Sequence, residues 1–199
     1  MRILAQVLPA TTNITRSTIS GNTAAGANAA FGGGVGGGIM VIASGAIANT
    51  VNIDSSTISG NHAWELGAPG INTVAGGIYN WSTAAGNVAT VNLTNSTVSG
   101  NDADFAGGIY NDGLSATVNL DYSTVAGNAA GTDGGGIYQD LNGTTNLRNS
   151  VVADNTAITG PDIFGPITSQ NYNHIENTTG STFTTAANDM NGTDPRMGV

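Results

Sequence analysis

Leu93-Thr94-Asn95-Ser96-Thr97-Val98-Ser99-Gly100-Asn101 decides how this chain folds, because the same nine-residue pattern returns at residues 14–22, 53–61, 120–128 and 147–155. The terminal asparagines, Asn22, Asn61, Asn101, Asn128 and Asn155, stand 39, 40, 27 and 27 residues apart, which makes 27 residues the basic unit. A second element lies between copies: Gly36-Gly37-Gly38-Ile39, Gly76-Gly77-Ile78-Tyr79, Gly107-Gly108-Ile109-Tyr110 and Gly135-Gly136-Ile137-Tyr138, with a decayed copy at Pro161-Asp162-Ile163-Phe164. Each unit therefore holds three short runs of alternating apolar residues, such as Thr117 to Leu120, Ser123 to Ala126 and Gly136 to Tyr138.

Alternation by two sends Leu120, Val125 and Ile137 to one side of their strands and Asn119, Thr124 and Tyr138 to the other. No single unit can bury its own apolar side, so the units must stack. Stacking lines up Ile14/Ile53/Leu93/Leu120/Leu147, Ile19/Ile58/Val98/Val125/Val152 and Ile39/Ile78/Ile109/Ile137/Ile163, with rungs about 4.8 Å apart. The β-branched residues at nearly every rung favour strands over helices. The pattern predicts an all-β fold: a right-handed single-stranded parallel β-helix, a pectin-lyase-like solenoid of about five to six coils with three short strands per coil. Residues 1–168 form the repeats; 169–199 form a degenerate final coil and a C-terminal cap of the same domain, covering an edge that would otherwise invite strand pairing.

The Gly-Asn pairs mark tight bends. Glycine tolerates positive φ, and an asparagine at the same bend in each coil can bond its neighbours above and below, so Asn22, Asn61, Asn101, Asn128 and Asn155 are expected to form an internal ladder. The glycines before Ile39, Ile78, Ile109 and Ile137 relieve crowding at another corner; with no strand-to-helix context and no Walker lysine, they are not a phosphate cradle. Connections of varying length, Thr23 to Val35, His62 to Ala75, Asp102 to Ala106 and Ala129 to Asp133, emerge at one edge, where repeat proteins often carry specificity.

Composition narrows the partners. Of 199 residues, 39% are hydrophobic and 9% charged, there are 30 glycines, and the formal net charge is −9. The basic side chains are Arg2, Arg16, Arg148 and Arg196. That balance fits a packed domain rather than a disordered tail, and it repels nucleic-acid phosphates and anionic membranes. Cysteine is absent, which rules out disulfides and thiolate metal sites. The apolar stretch from Ile3 to Leu8 is too short for a signal peptide, and no span reaches transmembrane length, so membrane insertion is not expected.

Ser96 to Asn101, Gly76 to Asn80, Asn149 to Ala157, Gly160 to Asn173 and Gly192 to Pro195 together resemble bacterial β-helix proteins of the choice-of-anchor Q domain family. They are also similar to the repeats of chlamydial polymorphic outer membrane proteins. The likeness covers about residues 11 to 198. It implies a secreted or cell-surface, adhesin-like protein and brings no catalytic motif.

Several residue groups are candidates for binding or chemistry. Tyr79, Tyr110 and Tyr138, continued by Phe164, form one outward row flanked by Asn80, Asn111 and Gln139; they either bind sugar faces or stabilise one another by stacking. Trp64 shares the longest connection with His62 and Glu65 and either recognises a ligand or folds back over the solenoid edge. Asp112 and Asp140 occupy equivalent positions in adjacent coils, about 5 Å apart, as in a retaining glycosidase. The same spacing suits a weak Ca²⁺ site or two solvated loop aspartates. Asp54 and Asp121, with Thr94 between them, stand about 9.6 Å apart by strand spacing, nearer the inverting range. Arg148 alone sits beside a repeat strand near several acids, which weakens a lyase reading. The outward row Thr18/Thr57/Thr97/Thr124 with Ser20/Ser59/Ser99 either orders water, as an ice-binding surface would, or is solvated strand surface; the serine column ends at Ala126 and Ala153. His62 and the tail residue His174 are too separated to make a metal site, and no cofactor is expected. Asn80-Trp81-Ser82 matches a glycosylation triplet only through the abundance of Asn, Ser and Thr.

From the residues and the resemblance, the leading expectation is a non-enzymatic scaffold contacting carbohydrate or a cell-surface component through the aromatic row and the loop edge. The runner-up is a polysaccharide-cleaving enzyme using Asp112 and Asp140, and the third reading is ice binding.

Overall fold

The computed structural model describes residues 2–4, 9–26, 33–65, 73–140 and 142–197. The middles of the two longest connections, 27–32 and 66–72, and residues 5–8 of the N-terminal apolar stretch lie outside the described residues. Among the described residues there is no helix, and so none long and apolar enough to cross a membrane.

The fold is all-β with every strand pairing parallel. The first ladder stacks Arg2–Leu4, Ile39–Ala43, Ile78–Ser82, Ile109–Asp112, Ile137–Gln139 and the start of Ile163–Ser169. The second stacks Ala10–Thr15, Ala48–Asp54, Val88–Thr94, Ala116–Asp121 and Thr144–Arg148. The third stacks Thr18–Ser20, Thr57–Ser59, Thr97–Ser99, Thr124–Ala126 and Val151–Ala153. Ile163–Ser169 pairs with the first ladder at one end and the second at the other, joining them into one 12-stranded sheet.

A fourth ladder, Thr23–Gly26, His62–Glu65, Asp102–Phe105 and Ala129–Asp133, corrects the expectation of three strands per coil. It forms from the segments read above as variable connections. Their first few residues follow the Asn corner at the same offset in each unit, so backbone pairing extends into them whatever their side chains. The tail also keeps stacking: His174–Ile175 and Met190–Asn191 add two rungs to the third ladder, and Ser181–Thr184 pairs with Ile163–Ser169.

The three aliphatic ladders are in register as their spacing requires. Ile53 pairs with Ile14 and Leu93, Leu120 with Leu93 and Leu147, Val98 with Ile58 and Val125, and Ile109 with Ile78 and Ile137. These residues are buried and belong to one core cluster. Each contributes about 1.5–3 kcal/mol through burial.

Two kinds of glycine build the corners. Gly60 has open space around its would-be Cβ and is needed for its φ of +59°. A Cβ on Gly76 would instead lie 2.5 Å from the backbone nitrogen and oxygen of Asp102, so there the coils touch backbone to backbone.

Polar ladders run inside this shell. Each asparagine of the corner row donates its backbone N–H and its Nδ2 to Oδ1 of the next, from Asn22 through Asn61, Asn101 and Asn128 to Asn155. The last rung donates to Asp162 Oδ1. A serine ladder, unrecognised in the sequence, runs beside it: the backbone N–H of Ser17, Ser56, Ser96 and Ser123 donates to the hydroxyl of Ser56, Ser96, Ser123 and Ser150 respectively. It continues through Asn173 to Asp189. A repeating one-way ladder has donors left over at its far end, and a carboxylate, which only accepts, completes both.

Candidate functional site

The outward face of the first ladder carries the aromatic row. Tyr79 and Tyr110 stack at 5.3 Å and 8°, Tyr110 and Tyr138 at 5.0 Å and 13°, and Tyr138 and Phe164 at 4.9 Å and 19°. Strand register imposes these distances, and offset stacking makes them favourable. Because the rings cover one another, the inner members offer edges and hydroxyls rather than free faces. The flanking Asn80, Asn111 and Gln139 point the other way and are buried, Asn80 donating to Asn111 Oδ1 and Asn111 to Gln139 Oε1, each at 2.8 Å.

The row changes character where it begins. Met40 precedes Tyr79 in register, and Ile42 precedes Trp81, so the end of the stack is followed by aliphatic side chains rather than another ring. Trp81, half-buried, sits at 6.4 Å and 57° from Tyr79. The corner residue Asn22, residues 23–25 of the fourth ladder and residues 33–37 rise beside this floor, and together they border a cleft of about 780 Å³ lined by Met40, Ile42, Tyr79 and Trp81. Further along, Phe105 of the fourth ladder meets Tyr138 edge-on at 6.2 Å and 86°, so the same wall flanks the row's far end. Sequence reasoning missed Trp81 as a site residue, although its place two residues after the Tyr rung was legible. Its wall was not, because it depends on the fourth ladder.

Asp112 pairs in register with Trp81, and Asp140 follows one coil later, its backbone N–H donating to the Asn111 carbonyl at 3.0 Å. Asn111 pairs with Gln139, so the residues that follow, Asp112 and Asp140, stand on neighbouring rungs about 4.8 Å apart along the stack. Burial, then hydrogen bonding of the protonated Asp112 carboxyl toward Asp140 and the like charge of Asp140, push the Asp112 carboxyl up to about 6. Tyr110 Oη donates to Asp112 Oδ2 at 3.5 Å. Burial, then the Asp112 charge, drives the Tyr79 and Tyr110 phenols upward, so both stay protonated.

Trp64 is 53% exposed on the fourth ladder, where its ring lies 5.2 Å from that of His62. His62 Nδ1 lies 2.5 Å from Asp102 Oδ2. Asp121 forms an ion pair with Arg148, which holds its carboxyl below the usual range, and Thr94 separates it from Asp54. The threonine row is in register from Thr18 to Thr124 and meets Val151 next. His174 Nε2 contacts the Thr193 carbonyl at 2.6 Å. At the C-terminal end Asp154, Glu176 and Asp194 place carboxylate oxygens within 4.8 Å of one another, a group with the donors for a cation that no sequence motif announced. Comparison with family models, with curated proteins and with solved structures returns no match.

Proposed function

We propose that this chain is a right-handed parallel β-helix that acts as a non-enzymatic, surface-displayed scaffold and binds glycans in the cleft between the first and fourth ladders. Right-handedness follows from the strong preference of parallel crossovers for that hand. Secretion or surface display rests on the resemblance of the Ser-Thr-Val-Ser-Gly-Asn and Gly-Gly-Ile-Tyr elements to choice-of-anchor Q proteins. The observation that carries the binding reading is the pair Tyr79 and Trp81, tilted against each other on the floor of a walled cleft. Aromatic floors with polar edges suit sugar rings, whose C–H faces pack on the ring while their hydroxyls reach outward.

Binding is favoured over cleavage by the carboxyl geometry. A retaining hydrolase needs its two carboxyls about 5–5.5 Å apart and an inverting one about 6.5–9.5 Å, to admit the bond or a water. Asp112 and Asp140 stand outside the lining of the cleft, so they do not flank a sugar held on its floor. Ice binding is disfavoured by the interruption of the hydroxyl rows at Val151 and Ala126.

A glycan array probed with wild type and Trp81→Ala tests the reading. Selective binding by wild type that falls about tenfold in the variant is expected, since about 1.4 kcal/mol of lost stacking gives that factor. Equal, featureless binding by both would remove it. Reducing-sugar release from any glycan that binds would restore the enzymatic alternative.

A further inference from the structure

The floor of the cleft has two rungs of different character. Tyr79 and Trp81 make an aromatic rung, and Met40 and Ile42, their partners in register, make an aliphatic one about 4.8 Å away. Both aliphatic side chains are half-buried on the outward side of their strand. A sugar ring held on the aromatic rung extends its substituents over Met40 and Ile42, where a methyl group packs well and a hydroxyl loses water for nothing.

The rim carries one open amide. Within the corner ladder, Asn61 Oδ1 accepts from Asn22, while Asn61 Nδ2 donates to both the Ile19 carbonyl and Asn101 Oδ1; Asn101 and Asn128 repeat that arrangement. Asn22 is the first rung, so its Nδ2 donates to Asn61 Oδ1, but among the described residues no donor reaches its own Oδ1. Asn22 is exposed and lines the cleft, which leaves this oxygen to accept from a ligand N–H.

Charge narrows the ligand further. Among the described residues that line the cleft there is no carboxylate, guanidinium or imidazole. A uronate or a free amine would lose water there without meeting a counter-charge. The substituent that fits is uncharged and carries both a methyl group and an N–H, as an acetamido group does.

Resting on the glycan-binding reading, we infer that the cleft selects N-acetylated amino sugars: the pyranose ring lies on Tyr79 and Trp81, the acetamido methyl on Met40 and Ile42, and the acetamido N–H donates to Asn22 Oδ1.

The test titrates the full chain with soluble oligosaccharide probes of equal length, of N-acetylglucosamine, glucosamine, glucose and galacturonate, at neutral pH. One buried methyl and one hydrogen bond together give the N-acetylglucosamine oligomer an affinity about tenfold above that of the glucose oligomer. The glucosamine oligomer should bind no better than glucose, and galacturonate should not bind. Asn22→Ala and Met40→Gln, each checked for folding by circular dichroism, should shrink the preference for N-acetylglucosamine over glucose, and Trp81→Ala should weaken binding of both oligomers. Equal affinity for those two oligomers, tighter binding of glucosamine, or an unaltered preference in either folded variant overturns the acetamido selectivity and leaves glycan binding standing. Failure of all four probes, together with a featureless glycan array, overturns both.

Discussion

Replacing Asn101 by alanine removes the middle rung of the asparagine ladder, and the structure sets the cost. Asn101 Oδ1 accepts the backbone N–H of Asn61 at 3.0 Å and its Nδ2 at 2.9 Å, while Asn101 Nδ2 donates to the Ile58 carbonyl at 3.0 Å and to Asn128 Oδ1 at 2.9 Å. Asn61 and Asn101 are both 0% exposed, so water cannot replace the lost acceptor. The buried backbone N–H of Asn61 is orphaned at about 1–3 kcal/mol, its Nδ2 keeps only the bond to the Ile19 carbonyl, and the lost donations bring the total to about 3–6 kcal/mol. Against a stability of about 5–15 kcal/mol, that is a large fraction. Asn22 is the control: it is exposed and ends the ladder, and after Asn22→Ala its backbone N–H still reaches Asn61 Oδ1. That change should cost below about 1 kcal/mol. Urea unfolding followed by circular dichroism on both variants measures the difference. Midpoints for Asn101→Ala and Asn22→Ala that coincide would refute the claim that buried polar satisfaction, rather than local turn geometry, sustains this corner.

Other expectations concern pH, corners and the aromatic row. Burial pushes the Asp162 carboxyl, which ends the asparagine ladder, up to about 6. A raised folded-state value means stabilisation that is complete below the unfolded value of about 3.9 and lost as pH rises through about 6, so the urea midpoint should fall between mildly acidic and neutral pH. Two pH units correspond to at most about 3 kcal/mol, and Asp162→Asn should flatten this part of the profile; an unchanged slope contradicts it. Gly76→Ala drives a Cβ to 2.5 Å from Asp102 backbone atoms and should cost more than about 4 kcal/mol or block folding, whereas Gly60→Ala meets open space and should cost about 1–2 kcal/mol for its positive φ. Equal thermal shifts for the two would show that the corner glycines serve φ alone. Tyr110→Ala breaks two stacked contacts worth about 0.5–1.5 kcal/mol each, which denaturant titration should register as about 1–3 kcal/mol.

The periodic features were legible because stacking converts sequence spacing directly into contact. Once Ile53, Leu93 and Leu120 stand at equivalent places in successive units, any parallel stacking places them on neighbouring rungs, and the same holds for the asparagines and for Tyr79, Tyr110 and Tyr138. The serine ladder was equally periodic at Ser56, Ser96, Ser123 and Ser150, but it was passed over because serine carries no hydrophobic signal. The fourth ladder was misread as loop for a related reason: Thr23–Gly26 and Ala129–Asp133 have weak strand preference, and only pairing between coils makes them strands.

The amino-acid order alone determined what lies above and below each residue, since the repeat sets the partner along the stacking direction. Tertiary structure decided what lies sideways. Corner angles and wall height, which no period encodes, placed residues 33–37 beside Tyr79 and Trp81 and left Trp64 half exposed. Hydrogen bonding between strands is short-ranged and directional, so it transmits register from coil to coil; the spacing across a groove depends instead on the backbone dihedrals of a few corner residues.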